Sequence, residues 1–150
     1  MDEIGPLPFE LKSEDLPTVR ITYAFYSAKT GVGRSEISIS GAGKVVLLEE
    51  AMLNDPNPQT LEKSIDASIV IRLLDVMQEE GFLTFEDLYR ATDTPGGTRV
   101  IELVLPDRSK KVMAEQPTVN PPFERIAGAI KFATGLAVPE ALQSRFFQRM

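Results

Sequence analysis

Three stretches of this chain alternate between apolar and polar residues with a period of two, and that alternation predicts half-buried strands. From Thr18 to Ser27, Val19, Ile21, Tyr23 and Phe25 fall on one side and Thr18, Arg20 and Thr22 on the other. Arg34 to Ser40 repeats the pattern, with Ile37 and Ile39 inward and Glu36, Ser38 and Ser40 outward. Lys44 to Glu49 is a third strand, and its run Val45-Val46-Leu47-Leu48 is apolar on both faces. The connections between these three, Lys29-Thr30-Gly31-Val32-Gly33 and Gly41-Ala42-Gly43, are short and glycine-rich, so a three-stranded antiparallel meander is expected. Thr98 to Leu105 alternates again, with Ile101, Leu103 and Leu105 together. Pro106 then sits at the second position of a type I turn, and Ser109 to Ala114 completes a hairpin.

The remaining apolar residues recur at helical spacing. After the break Asn54-Asp55-Pro56-Asn57-Pro58, Thr60 is placed as an N-cap, and Leu61, Ile65, Ile69, Leu73 and Val76 form a stripe that Val70, Leu74 and Met77 widen. The spacing predicts one helix of about twenty residues ending at Gly81, with Ile69 and Leu73 at the centre of its buried face. Thr84-Phe85-Glu86-Asp87 resembles a capping box, which predicts a short helix over Phe85 to Arg90 burying Phe85, Leu88 and Tyr89. Asn120 followed by Pro121 opens a further helix with Phe123, Ile126, Ala127 and Ile130 inward, ended by Gly135. Pro139 to Arg149 is read as a last helix with Leu142 and Phe146 inward. The expected fold is α+β: a single antiparallel sheet of about five strands in βββ-α-ββ-α order, with the helices packed on one face. Residues 1–17, with Pro6, Pro8 and Pro17 among acidic residues, read as an extended N-terminal arm, and residues 18–150 as one domain.

Composition narrows the chemistry. The 150 residues contain no His, no Cys and no Trp and carry a formal net charge of −6. Without Cys there are no disulfides, thiolate nucleophiles or iron–sulfur clusters. Without His, the commonest general base and metal ligand is missing, and a Ser-His-Asp triad is impossible within the chain. No cofactor and no metal site are therefore expected. Residues 1–80 carry 14 acids and 7 bases, and residues 81–150 carry 8 acids and 9 bases. Neither half has the basic field that a phosphate backbone selects, so nucleic acid is not an expected partner. No apolar run reaches the roughly 20 residues of a membrane span. A soluble protein with a cytoplasmic location is expected, or an extracytoplasmic one if a signal sequence has been removed.

The glycine motifs do not form nucleotide sites. Gly41-Ala42-Gly43-Lys44 ends like a phosphate-binding loop, but Ser38 and Val45 stand where the Walker pattern needs Gly and Ser or Thr. Gly31-Val32-Gly33 has Glu36 where the dinucleotide pattern needs its third Gly. The acidic pairs Glu49-Glu50 and Glu79-Glu80 read as solvated surface, and Asn54, Asp55 and Asn57 do not follow the EF-hand spacing. Two carboxylates sharing a sheet face, such as Glu36 and Glu102, are the arrangement a hydrolase would need, although nothing in the spacing selects that pair.

The polar segment Tyr89 to Arg99 is the candidate recognition surface. Arg90, Asp93, Thr94 and Arg99 cluster around a Pro-Gly-Gly turn, where two guanidinium groups can clamp a carboxylate and Asp93 and Thr94 can hold the turn in shape. The expected partner is a protein or a small anionic ligand. The structural alternative makes Arg99 an ordinary surface charge on a strand.

Several of these motifs carry a resemblance. The stretch Ile37-Ser38-Ile39-Ser40-Gly41-Ala42-Gly43-Lys44-Val45, the helix end Glu80-Gly81-Phe82-Leu83, and Tyr89 followed by Thr92-Asp93-Thr94-Pro95 resemble a family of small bacterial proteins known only as a domain of unknown function, often found in lipoproteins. The likeness runs from about Thr18 to Gly135. This chain lacks the cysteines near the first turn and the lipid-attachment signal of that family. The resemblance implies a shared α+β fold and brings no activity or catalytic residue with it. Function is then expected to be that of a non-enzymatic binding or protein-interaction module; the alternative is a hydrolase or lyase using Asp, Glu, Lys or Tyr without His, Cys or cofactor.

Overall fold

The computed structural model describes residues 7–26, 33–50, 55–90, 97–115 and 120–136. The described residues form an α+β domain of one seven-stranded sheet and two α-helices. The strands are β1 (Arg20–Tyr26), β2 (Arg34–Ser40), β3 (Lys44–Glu49), β4 (Gln59–Ser64), β5 (Leu88–Tyr89), β6 (Thr98–Val104) and β7 (Ser109–Glu115), and the helices are α1 (Ala67–Glu79) and α2 (Pro121–Thr134). Their order across the sheet is β4-β3-β2-β1-β6-β7-β5. Every neighbouring pair is antiparallel except β5 with β7, which is parallel.

The alternation sorts the two faces. Ile21, Tyr23 and Phe25 of β1, Ile37 and Ile39 of β2, Val45 of β3, Ile101 and Leu103 of β6, and Val112 and Ala114 of β7 are buried in one core. The helices cover this face with Val70, Leu73, Leu74 and Met77 from α1 and Phe123, Ile126, Ala127 and Ile130 from α2. Asn120 caps α2, its side chain accepting from the Phe123 amide at 3.0 Å, and Gly135 ends it in the left-handed region. Arg125 of α2 donates to both carboxylate oxygens of Glu80, at 2.8 and 2.9 Å, which ties α2 to the end of α1 and holds the Glu80 carboxyl below its ordinary range.

Three expectations from the sequence are corrected. The long helix does not start at Thr60: Gln59–Ser64 is β4, paired with β3 from Lys44↔Ser64 to Glu49↔Gln59, and α1 begins only at Ala67. β3 is apolar on both faces and would make a poor edge; β4, exposed along its whole length, takes that place. The buried face of α1 is made of Val70, Leu73, Leu74 and Met77, all on the expected stripe, whereas Ile69, expected at its centre, is only half-buried. The helix expected over Phe85 to Arg90 is replaced by a 3-10 turn (Phe82–Thr84) and by β5. Both ends of the supposed capping box are engaged elsewhere: the Thr84 hydroxyl donates to the Gly81 carbonyl at 2.7 Å, and the Asp87 carboxylate accepts from Lys110 of β7 at 2.7 Å. The sheet therefore has seven strands and is mixed, not five and wholly antiparallel. The helix expected over Pro139 to Arg149 lies outside the described residues.

The segment before β1 is built into the domain. Residues Pro8–Glu10 and Ser13–Thr18 form two 3-10 turns. Phe9 enters the core; its amide donates to Gln78 Oε1 at the end of α1, and Arg108 Nη2 donates to its carbonyl at 3.4 Å. Phe9 and Glu10 both have φ of 59°, a left-handed backbone that costs a non-glycine residue about 1–2 kcal/mol. Burial of a Phe ring returns about 1.5–3 kcal/mol, so the two contributions nearly balance at this turn. Further along, the chain crosses the β2–β3 turn so closely that a Cβ on Gly41 would lie 1.6 Å from the Leu16 carbonyl oxygen.

Leu73→Ala is expected to destabilise the protein by about 2–5 kcal/mol, the range for deleting a fully buried aliphatic side chain. Leu61→Ala, on the exposed edge strand, is expected to cost less than about 1 kcal/mol. Urea unfolding midpoints check both, and a large loss at Leu61 would restore the helix reading of residues 59–66.

Candidate binding face

The helices cover one side of the sheet. The other side carries the second set of alternating residues, and the strand register arranges them in rows. The middle row runs Thr60, Leu48, Glu36, Ala24, Val100 and Met113 from β4 to β7. The next row towards the β2–β3 turn runs Glu62, Val46, Ser38, Thr22, Glu102 and Lys111, and on the other side lie Arg34, Tyr26, Thr98 and Glu115. Ala24 is the smallest side chain on this face of β1, and with Val100 it forms the floor of a trough of about 440 Å³. Tyr26, Met113, Glu36, Glu102 and Lys111 line its sides. The Tyr26 and Met113 side chains are substantially exposed there.

The charges of this face are organised. The Arg34 guanidinium donates to Glu36 Oε1 at 3.0 Å and to Glu50 Oε1 at 3.1 Å. Burial would lower the Arg34 pKa, but the Tyr26 hydroxyl and the two glutamates outweigh it and hold the group more firmly protonated than usual. One guanidinium between two carboxylates leaves one net negative charge beside the floor. Glu102 stands directly opposite Lys111 in the β6–β7 register. Glu36 and Glu102 do share this face, on opposite sides of β1 and two residues out of step, which places their Cα atoms roughly 12 Å apart. That spacing spans a ligand and is too wide for two carboxyls sharing one proton.

The residues singled out by sequence fall in three different situations. Arg90 is exposed at the end of β5. Asp93 and Thr94 lie outside the described residues. Arg99 is not on the surface: it is 5% exposed, on the helix-facing side of β6 with Ile101 and Leu103. Its Nη1 donates to Glu124 Oε1 at 2.9 Å, its Nη2 to Glu124 Oε2, and its guanidinium stacks over the Phe123 ring at 5.1 Å. The Glu124 contact raises the Arg99 pKa above its ordinary value despite burial, and the same contact pulls the Glu124 carboxyl below its ordinary range. Arg99 therefore anchors α2 to the sheet, and the expected two-arginine clamp loses one arm. Just before it, Gly97 has φ of 133° and lies against Phe25, where a Cβ would come within 2.6 Å of the ring. The parity of Arg99 with Ile101 and Leu103 was the available signal for its burial.

Among the described residues no group of three acidic side chains is placed to hold a metal ion, and no helix is long and apolar enough to cross a membrane. No protein-family model matches the chain, and no curated protein matches it.

Glu124→Gln is expected to destabilise by about 2–4 kcal/mol, since it leaves a buried guanidinium without its counter-charge. The lower end applies because solvent reaches Glu124, whose side chain is 37% exposed. Arg99→Met, which keeps most of the packing and removes the charge, is expected to cost less. The Glu124 carboxyl is depressed in the folded state, so its contribution is full above the unfolded value of about 4.3 and is lost as the pH falls through the folded value. The gap in unfolding midpoint between wild type and Glu124→Gln should close between neutral pH and pH 2; a gap independent of pH would remove the ion pair from the account.

Proposed function

We propose that this chain is a non-enzymatic binding module and that the open sheet face is its binding surface. The observation that carries this reading is the trough over Ala24 and Val100, flanked by polar side chains that the strand register holds in place. Strands and their hydrogen-bonded ladder are a rigid platform, so such a face is organised before any ligand arrives. An extended protein segment can lie across this face, where Thr22, Ala24 and Tyr26 of β1 and Thr98, Val100 and Glu102 of β6 line the trough along two neighbouring strands. The Arg34–Glu36–Glu50 group keeps one net negative charge beside the floor, and the whole chain is at −6, so the occupant that complements it carries Lys or Arg flanked by apolar residues. The hydrolase or lyase reading would need a carboxylate enclosed and free of a fixed partner; Glu36 is tied to Arg34, and the trough is open to solvent.

Two series of extended peptides test the proposal, one alternating Val and Lys and the other Val and Glu, titrated against the intact protein by calorimetry. The lysine series is expected to bind and to weaken with added salt. The double change Glu36→Gln with Glu102→Gln should weaken that binding about tenfold, or about 1.4 kcal/mol. Both side chains are half-exposed, and Glu50 remains as a counter-charge to Arg34, so the unfolding midpoint should move little. Equal binding of the two series, or indifference to the double change, would sink the assignment of this face.

A further inference from the structure

The turn that carries Phe9 holds more than a packing contact. The ring is buried with the core residues, while its backbone is read separately: Gln78 Oε1 accepts the Phe9 amide, and Arg108 Nη2 donates to the Phe9 carbonyl at 3.4 Å. Pro8 is buried beside it, and the Leu11 amide closes the turn on the Pro8 carbonyl at 3.2 Å. An apolar socket with one acceptor and one donor for the main chain of the residue that fills it is the arrangement by which proteins recognise an anchor residue in a peptide. Neither Gln78 nor Arg108 reads anything specific to residue 9 of this chain; both read backbone.

The occupant is held against its own preference. Phe9 and Glu10 are consecutive non-glycine residues with φ of 59°, and strain of this kind persists only where the surroundings impose it. The firm attachment of the segment comes later, where the Leu16 carbonyl lies against Gly41 and the Val19 carbonyl accepts the Gly41 amide at 2.8 Å. The turn can therefore leave its seat without breaking a β1 pairing, since those begin at Arg20.

We propose that the socket between the end of α1 and the β6–β7 turn is a recognition site for a Pro-aromatic turn, and that residues 7–11 are its resident occupant, displaceable by the same motif on another protein. The site is separate from the open sheet face, and it stands whether or not that face binds a peptide. The other protein would supply a Pro-Phe or Pro-Tyr pair in the same turn, with its backbone between Gln78 and Arg108. Release of residues 7–11 then couples binding to exposure of the chain's own arm.

The full-length protein with Phe9→Ala removes the ring from the socket and weakens the resident turn's hold, and the blocked peptide Leu-Pro-Phe-Glu-Leu, which repeats residues 7–11, is the probe. The peptide is expected to bind the variant saturably and at least about tenfold more tightly than it binds wild type, where the resident turn competes. The peptide Leu-Pro-Ala-Glu-Leu should not bind, and adding Arg108→Ala should weaken the first peptide severalfold. Equal behaviour of the Phe and Ala peptides on folded Phe9→Ala protein would overturn the proposal. Amide hydrogen exchange of the wild type gives a second reading that does not depend on the variant's folding. The amides of Phe9 and Leu11 should exchange through an opening that leaves Val70 to Met77 protected. Protection at Phe9 equal to that of α1 would mean that the turn never leaves alone, and the proposal would fail.

Discussion

β1 is paired along its whole length on both sides, with β2 from Arg20↔Ser40 to Tyr26↔Arg34 and with β6 from Arg20↔Val104 to Tyr26↔Thr98. Everything else takes its place from this double register. It sends Ile21, Tyr23 and Phe25 under the helices and Thr22, Ala24 and Tyr26 to the open side, and its neighbours follow the same parity. A slip of one residue in either pairing would exchange the faces of a whole strand, so burial of the core and construction of the trough are one constraint. Arg99 shows how strict the parity is. Opposite Phe25 on β6 it must point inward, and a charge in that position is tolerable because Glu124, the Phe123 ring and Tyr23 meet it there.

Where apolar and polar residues alternated cleanly, the chain was legible: β2 begins and ends where the pattern does, and β1, β6 and β7 differ only at their ends; β3, apolar on both faces, also runs from Lys44 to Glu49 as expected. The capped helix α2 was equally plain, because Asn120, Pro121 and Gly135 state its limits chemically. Legibility failed where two periods fitted the same residues. Leu61 and Ile65 extend the helical stripe of α1, yet Leu61 also alternates with Thr60 and Glu62, and only the need of β3 for an outer neighbour decides between them. Leu88 and Tyr89 failed differently. Two residues cannot show a period, and their conformation comes from the β7 strand beside them and from Asp87, whose carbonyl accepts the Met113 amide.

The candidate site was legible only in fragments. Glu36 and Glu102 could be named as face-sharing carboxylates from parity alone, but the strand order that sets one on each side of β1 is not written in any local pattern. The dip in the face depends on Ala24, a residue with no chemistry to attract attention. Its effect comes entirely from the larger side chains that the register places around it. Arg99 was misread for the complementary reason: its charge suggested solvent, while the partner that makes burial tolerable lies on a helix that follows the whole β6–β7 hairpin. The arm before β1 carried its decisive residue, Phe9, among prolines and acids, where no periodicity marks a core contact.

The strand order also bears on how the chain is assembled. β2, β3 and β4 each add to the strand just before them, so the first four strands can zip up in succession through short loops. The seam between β1 and β6 is of another kind: Tyr23 meets Ile101 across more than half the chain. Ring closure over that distance is entropically expensive and slow, and it cannot begin on a ribosome until the second hairpin has emerged. Until then the inner face of the nascent meander, with Ile21, Tyr23, Phe25, Ile37 and Ile39, has only the residues of α1 to shelter it. The edge of β1 that β6 will occupy is open for the same period. The interval before that seam closes is therefore when the chain is most exposed to strand addition by another molecule, and the speed with which α1 settles on the meander sets how much of the apolar surface is on offer.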